Sequence, residues 1–509
     1  MYNVGTLKFH RIPILLAIAG ITPILPLQSA KGTVDYNVRD FGAKGDGLTL
    51  DTSAINHTIE AAAAAGGGEV VLPAGNYLST SIELKSNIRL QLDSGATLLA
   101  APVGNGVGYD AAEPNEWNRY QDFGHSHFHN SLIWGQDLVN VSITGQGQIW
   151  GKGLVRDFTK EPSDGNKAIA LYRCKNVLIR DVTIRHGGWF GILATGVDHF
   201  TLDNLMIDTN RDGMDIDCCR DVHVSNCSVN SPNDDGICLK SSFALGAARA
   251  TENVSITNCH VSGFKEGSLL DGTYIRKGYP TGRIKFGTES NGGFKNIAIS
   301  NCVFDYSRGL ALETVDGGFL EDVTITNITM RDIVSSPIFL RLGGRMRGPA
   351  GTPNGKLQRI TIDGVRVFNA AEASIIAGVP GCPVEDIRLR NIWVDSKGGA
   401  PANQADIVPK EDVKGYPEPE AFGKLPANCF YVRHAKSIEF ADLEFGTTNA
   451  DARPPFLLDD VEKAAFTMLK PRSSSGTSIF RLKSVHALSL RMVEGLKDSD
   501  TDYVQNAEF

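Results

Sequence analysis

A chain of 509 residues with 42% hydrophobic content can bury a large core, and its 58 acids against 50 lysines and arginines leave a net charge of −8. So acidic a balance argues against a nucleic-acid binder, and an anionic ligand would need a local basic patch. The length suits two or three average domains, but a single all-β solenoid can also run this far.

Residues 1–30 read as a secretory signal peptide. Lys8, His10 and Arg11 precede the apolar run Ile12–Leu27, and Gln28-Ser29-Ala30 offers small residues for cleavage. Pro13, Pro23 and Pro26 break the run and argue against a membrane anchor. The expected location is periplasmic or extracellular, with no membrane association after cleavage. Losing Lys8 and Arg11 takes the mature chain to about −10.

Residues 31–509 read as one domain, with a cap region over 31–100. Asp51 is placed to N-cap a helix over Ala54–Ala65, whose apolar residues are Ile55, Ile59, Ala62 and Ala63 and which stops at Gly66-Gly67-Gly68. Further on, His125, His127 and His129 in Gly124–His129 have metal-like spacing, but no carboxylate or cysteine follows at a fixed distance. They are expected on a loop lining a groove, and no metal or cofactor is expected.

A repeat then takes over. Val177, Phe200, Val222, Val254, Ile297, Val323, Ile360, Ile387 and Ile438 each start an alternating strand, and Val141 starts an earlier one. Four residues on stand Asp181, Asn204, Asn226, Asn258, Asn301, Asn327, Gly364, Asn391 and Asp442, a ladder of turn formers. The intervals are 23, 22, 32, 43, 26, 37, 27 and 51, a base repeat with insertions on some turns. Short strands with Asn/Gly corners and no helical period predict a parallel β-helix. Cys227, Cys259 and Cys302 share a repeat position with Val182, Leu205, Ile328, Val365, Ile392 and Leu443, so they read as core thiols. Of the nine cysteines, Cys382 and Cys429 are the one pairing to consider.

Within the repeat, Asn210-Arg211-Asp212-Gly213 and Asn233-Asp234-Asp235-Gly236 precede equivalent strands, with Asp212 and Asp234 22 residues apart. One coil per repeat stacks the three acids on one face. Carboxylates so crowded raise one another's pKa, so one can keep its proton while others ionise. Asp-Gly pairs also make turns, but two on consecutive coils before equivalent strands are hard to dismiss. On the preceding turn, Trp189 offers a ring to stack on a sugar or to cover the solenoid face, and His186 sits beside it. Residues 396–428, rich in Gly and Pro, break the rhythm as a long loop expected over the functional face. Strands resume at Phe430–Phe445 and Leu488–Met492.

These motifs resemble glycoside hydrolase family 28, the polygalacturonase family. The opening Asp40–Gly47 is similar to the start of many pectinase-type β-helices; Asn210-Arg211-Asp212 is similar to the family's Asn-Thr-Asp motif, and Asp234-Asp235 to its Asp-Asp motif. The resemblance covers roughly residues 32–450. It implies an all-β fold, a single-stranded right-handed parallel β-helix with a short N-terminal cap helix. It also implies an inverting hydrolase, with Asp234 as general acid and Asp212 and Asp235 holding and deprotonating the attacking water. An inverting pair of carboxyls is expected about 6.5–9.5 Å apart.

Two family motifs are missing. The Gly-His-Gly position falls on Thr281-Gly282-Arg283, and the Arg-Ile-Lys position on Ala311-Leu312-Glu313. Strand alternation puts Ile237, Leu239, Ile284, Phe286, Leu310, Leu312, Ile338 and Leu340 inside. The outward rows are then Cys238, Lys285, Ala311, Phe339 and Lys240, Gly287, Glu313, Arg341. Positive charge moves to Lys240, Lys285 and Arg341, and Glu313 offers an acceptor for a neutral sugar. The expected substrate-binding set is Asn210, Asn233, His186, Trp189, Lys240, Arg283, Lys285, Glu313 and Arg341. The expected partner is a pectic polysaccharide or oligosaccharide acted on by a monomer. A rhamnogalacturonan-type hydrolase or galacturonidase is preferred, with a polygalacturonase on homogalacturonan as the alternative. A pectate-lyase-like eliminase and a non-catalytic glycan-binding β-helix remain as rivals of other classes. Against the lyase stands the lack of an obvious Arg or Lys base beside the acids.

Overall fold

The computed structural model describes residues 35–104, 106–156, 164–472 and 477–509; the expected signal peptide lies outside them. Among the described residues no helix is long and apolar enough to cross a membrane.

The alternating strands stack as a parallel β-helix with three faces. The first sheet carries Ile133–Gln136, Lys167–Tyr172, Phe190–Thr195, Asp212–Asp217, Ile237–Ser241, Ile284–Ser290, Leu310–Thr314, Ile338–Leu342 and Ser374–Ala377, each parallel to the next. The second runs through Val139–Thr144, Lys175–Arg180, Asp198–Asp203, Arg220–Ser225, Thr251–Thr257 and Phe294–Ser300. A third of three-residue strands, such as Met206–Asp208 and Ser228–Asn230, closes each coil until the long strand Phe319–Arg331 joins the second and third faces. Parallel stacking already begins at Asp35–Asn37, which pairs with Gly68–Leu72, and that strand in turn pairs with Ile88–Leu92, so most of the expected cap region belongs to the coil.

Period-2 alternation points every second side chain into the coil. Ile216, Leu239, Phe286, Leu312 and Leu340 follow one another in register, all fully buried. Such a column of apolar side chains is the main stabilising feature of the solenoid. The predicted corner ladder is present at all nine positions, with φ between 51° and 70°. Asn tolerates this left-handed conformation and its amide can link to the next rung; Asn204 Nδ2 donates to Asp181 Oδ1 at 2.9 Å and Asn327 Nδ2 to Asn301 Oδ1 at 2.6 Å. A second ladder, Asn87, Asn140 and Asn176, was not expected. All nine cysteines are free thiols, Cys382 and Cys429 included, and Cys227, Cys259 and Cys302 are buried in the core.

Helix α1, Thr52–Ala64, covers the open end with Ile55, Ile59 and Ala62 buried. Asp51 precedes it but does not cap it. Its carboxylate accepts from the backbone of Lys44 (2.7 Å) and Gly45 (3.0 Å) instead, pinning the opening motif. At the far end a strand missed by pattern, Phe456–Pro471, continues the stack, and Ser499–Glu508 closes the last edge in antiparallel pairing with Phe480–Val493.

The long loop does fold over the first sheet. Phe422, Leu425 and Ala427 pack against Ala311, Phe339, Ile375 and Tyr431 on the outer side of the strands. A loop anchored by apolar side chains at one end is held where its polar residues meet the site.

Candidate active site

Asp212 opens the strand Asp212–Asp217, and Asp234-Asp235 stand just before Ile237–Ser241, whose Ile237 pairs with Met214. That register brings one oxygen of each acid within 4.8 Å of the others. The intervening Gly213 is required by close packing rather than by a turn: a Cβ there would lie 2.4 Å from the Gly236 carbonyl oxygen.

The three acids have different environments. Asp235 is buried, yet Arg283 Nε donates to its Oδ1 at 2.6 Å and Lys285 Nζ lies 3.6 Å from Oδ2. Burial alone would raise its pKa, but Arg283, Lys285 and Lys240 outweigh it and hold the carboxyl at about 2. Asp212 is pushed well above the usual range by burial and by the neighbouring Asp215 and Asp234. Asp234 is raised by burial and by Asp235, partly offset by Arg211, which donates to its Oδ2 at 2.6 Å. These surroundings favour a proton on the Asp212–Asp234 side while Asp235 stays ionised. Asp234 is the accessible one, with 26% of its side chain exposed against 3% for Asp235.

The expected binding residues fall into two groups. Asn210 and Asn233 lie at the rim, joined at 2.6 Å, and His186 is half-buried against Glu266 and Arg156. The others are buried. Trp189 packs on Phe190 with ring centroids 5.4 Å apart and lies under the Arg211 guanidinium at 5.1 Å, so it covers the solenoid face. Lys240 pairs with Glu289 (3.2 Å) and Asp215 (3.7 Å). Arg341 donates to the carbonyls of Gly378, Glu411 and Asp412. Lys285 reaches Glu313 (3.6 Å) and Tyr416 Oη (3.3 Å). Glu313 is fully buried, so it is not an acceptor open to a sugar. Arg283, Lys240, Lys285, Glu313 and Arg341 form a charged floor beneath loops instead of a lined groove. The alternation is as expected up to Leu239 and Phe286, but a bulge then pairs Ser241 with Ser290, so Gly287 leaves its predicted row.

Glu313 carries a testable consequence. Burial pushes its carboxyl up to about 7 despite Lys285 and Arg283, and neither oxygen has a hydrogen-bond partner. A carboxyl raised in the folded state weakens folding as pH rises from its unfolded value to about 7. Glu313→Gln is therefore expected to stabilise the protein on the order of 3 kcal/mol at pH 8 and to have almost no effect at pH 4. Urea unfolding at the two pH values checks this; equal shifts would show that Glu313 is not the titrating group. Ala311 packs among Phe339, Ile375 and Tyr431, so restoring an arginine there would bury an unpaired charge rather than rebuild a sugar grip.

Several site residues escaped the sequence reading. Asp215 lies on the outward row beside Cys238, where alternation alone could have found it. His125 was expected on a groove-lining loop, and only its partner was missed: it bonds Asp215 Oδ2 at 3.1 Å. Tyr416 and Glu418 come from the long loop, where no repeat sets their register. Among the described residues two groups have metal-like geometry, the three acids and Asp122, His125 and Glu289. Cations of the protein already occupy both: Arg211, Arg283 and Lys285 flank the first, and Arg347 bridges Asp122 (3.0 Å) and Glu289 (3.3 Å) in the second. Basic groups thus do adjoin the acids, contrary to the reading that argued against a lyase. Burial works against their charged forms, but their acidic neighbours hold Arg283, Lys285 and Lys240 well above their usual values. They are poor bases for proton abstraction.

Comparison with known proteins agrees with this architecture. Residues 36–238 match the family model described as rhamnogalacturonase A/epimerase, pectate lyase-like. A probable polygalacturonase of Vitis vinifera is 24% identical over 394 residues, covering 70% of this chain and 73% of the relative. An exo-poly-α-D-galacturonosidase of Dickeya chrysanthemi is 24% identical over 363 residues, covering 60% of this chain and 56% of the relative. Among solved structures, the family 28 exopolygalacturonase of Yersinia enterocolitica superposes with a TM-score of 0.65 at 20% identity, covering 85% of this chain and 78% of that one.

Proposed function

From a chain that is a family 28-like protein of the pectin-lyase fold and a polygalacturonase-like, pectin-degrading glycoside hydrolase, we propose an exported enzyme that inverts the bond it cleaves. In this reading it acts on α-linked galacturonate-containing pectic glycans and prefers a neutral sugar, as in rhamnogalacturonan, on the leaving-group side. The observation that carries it is the unequal setting of three acids held within 4.8 Å of one another: Arg283 donates to Asp235 at 2.6 Å, while burial and neighbouring carboxylates raise Asp212 and Asp234.

Asp234, the most accessible, protonates the glycosidic oxygen, and the leaving sugar departs. Asp235 and Asp212 orient a water for attack at the anomeric carbon, and Asp235 takes its proton. The acids' nearest oxygens lie within 4.8 Å, tighter than the roughly 6.5–9.5 Å expected between the carboxyls of an inverting pair, so distance does not select the stereochemistry. Inversion is supported differently. Asp235 and Asp212 are 2% and 3% exposed, so a water molecule reaches their carboxyls more readily than a sugar's anomeric carbon does. Proton NMR of early product from an α-linked substrate should show the β anomer, unaffected by chelators. Retained configuration would overturn the mechanism, and an unsaturated product would restore the lyase reading.

The neutral-sugar preference is supported by Ala311 and Glu313 at the positions of the family's two cations, and by the description of the family model. Product analysis on rhamnogalacturonan and oligogalacturonide substrates tests it. Faster cleavage of oligogalacturonides would return the assignment to polygalacturonase.

A further inference from the structure

Arg283, Arg308 and Lys285 converge beside Asp235, an arrangement suited to gripping a carboxylate. A carboxylate is already there, and the protein supplies it. Glu418 takes a two-pronged contact from Arg283, Nη2 to Oε1 at 2.7 Å and Nη1 to Oε2 at 2.9 Å. Arg308 Nη1 reaches Oε2 at 3.3 Å, and Lys285 Nζ lies 4.0 Å from Oε1. The same guanidinium donates its Nε to Asp235, so Glu418 is one side chain away from the reacting centre. Its side chain is 20% exposed, at the boundary between the buried floor and solvent.

The loop holds it there from both sides. Phe422 and Leu425 are anchored on the outer face of the sheet, while Tyr416 Oη meets Lys285 and accepts from Thr288 Oγ1 at 2.8 Å. Planar, paired donors from an arginine match a carboxylate closely, and once engaged they offer little to a second one.

We infer that Glu418 is a specificity-determining residue that fills the carboxylate grip beside Asp235, so that the sugar seated there must lack a carboxylate of its own. The inference rests on the proposed hydrolase function and deepens it. The neutral-sugar preference then comes from an occupied cationic site as well as from the missing motif cations. A uronate entering this position meets a like charge and finds its partners engaged.

The test uses Glu418→Gln and Glu418→Ala in the full chain. Binding of tetragalacturonate and of a rhamnogalacturonan tetrasaccharide is read by calorimetry in an Asp234→Asn background, and KM and kcat are read in the active protein. Freeing the grip should tighten tetragalacturonate binding about tenfold, with the gain shrinking at high salt, because a released charge pair is screened. The rhamnogalacturonan tetrasaccharide should gain much less, so the ratio of KM values shifts toward the acidic substrate. Should the alanine variant fold poorly, the near-isosteric glutamine, which keeps the loop contacts, decides. Unchanged tetragalacturonate affinity, or an equal loss for both glycans, overturns the inference and leaves Glu418 a loop tether. A parent protein that binds and cleaves neither glycan overturns the functional reading and the inference together, which separates the two failures.

Discussion

Replacing Asp234 by asparagine is expected to lower kcat by roughly 10²–10⁴ with the fold intact, the loss typical of removing a general acid. The amide oxygen still accepts from Arg211, and the side chain lies at the rim, so packing barely changes. The pH profile gives a second readout. The alkaline limb of the parent enzyme should follow loss of the proton held on the Asp212–Asp234 side, where both carboxyls are raised. The acid limb should follow protonation of Asp235, held at about 2, leaving activity well into the acid range. Residual turnover of the variant should lose the alkaline limb. A variant keeping most of its activity would exclude Asp234 as the donor and leave Asp212, the more strongly raised acid, as the alternative.

Arg283→Met should have the largest effect on stability. Arg283 is 1% exposed and serves two carboxylates, Asp235 and Glu418. Removing one partner of a buried ion pair typically costs about 3–5 kcal/mol, because the other charge stays buried without compensation. The cost depends on pH with a definite sign. Asp235 is depressed below its unfolded value, so its pairing stabilises the fold above about pH 4 and the effect fades as pH falls toward about 2. The variant should therefore be far less stable than the parent at pH 7, with a gap that is clearly narrower at pH 2.5 and closes only below about pH 2. Urea unfolding at both values checks this, and hydrogen exchange over residues 411–422 should show the loop loosened first. Equal destabilisation at both pH values would point to lost packing rather than a broken charge network.

What could be read from the sequence follows the coil. Period-2 alternation gave the inward column, the outward pairing of Lys285 with Ala311, and the stacking of Asp212 against Asp234-Asp235, because register in a repeat is set by the same pattern that sets burial. The corner asparagines were legible because only a few residue types accept their backbone conformation. Insertions carry no such constraint. Glu418, Tyr416 and His125 arrive from loops whose paths depend on apolar anchors such as Phe422, so nothing in their spacing reveals the acids they meet. Burial of the charged floor was missed for the same reason. Lys240, Glu313 and Arg341 point outward from the coil, and only the covering loops make outward mean buried. The bulge at Gly287 and the different use of Asp51 are local hydrogen-bond choices that alternation does not record.

Stacking the acids on adjacent coils also makes the spacing of the chemistry a matter of counting. Neighbouring strands lie about 4.8 Å apart, so the gap between Asp212 and Asp234 is one rung and cannot be adjusted in smaller steps. One added coil between them would move the proton donor a full rung away from the water it must work with. Extra length is therefore admissible only where it leaves the rungs in place. The spacings agree: Asp212 and Asp234 are 22 residues apart, equal to the shortest interval of the series, the surplus of the 32-residue interval falls after Asp234, between Ser241 and Thr251, and the intervals of 43, 37 and 51 follow. The chain can vary what surrounds its chemistry by lengthening loops, but the distance across that chemistry changes only by whole turns.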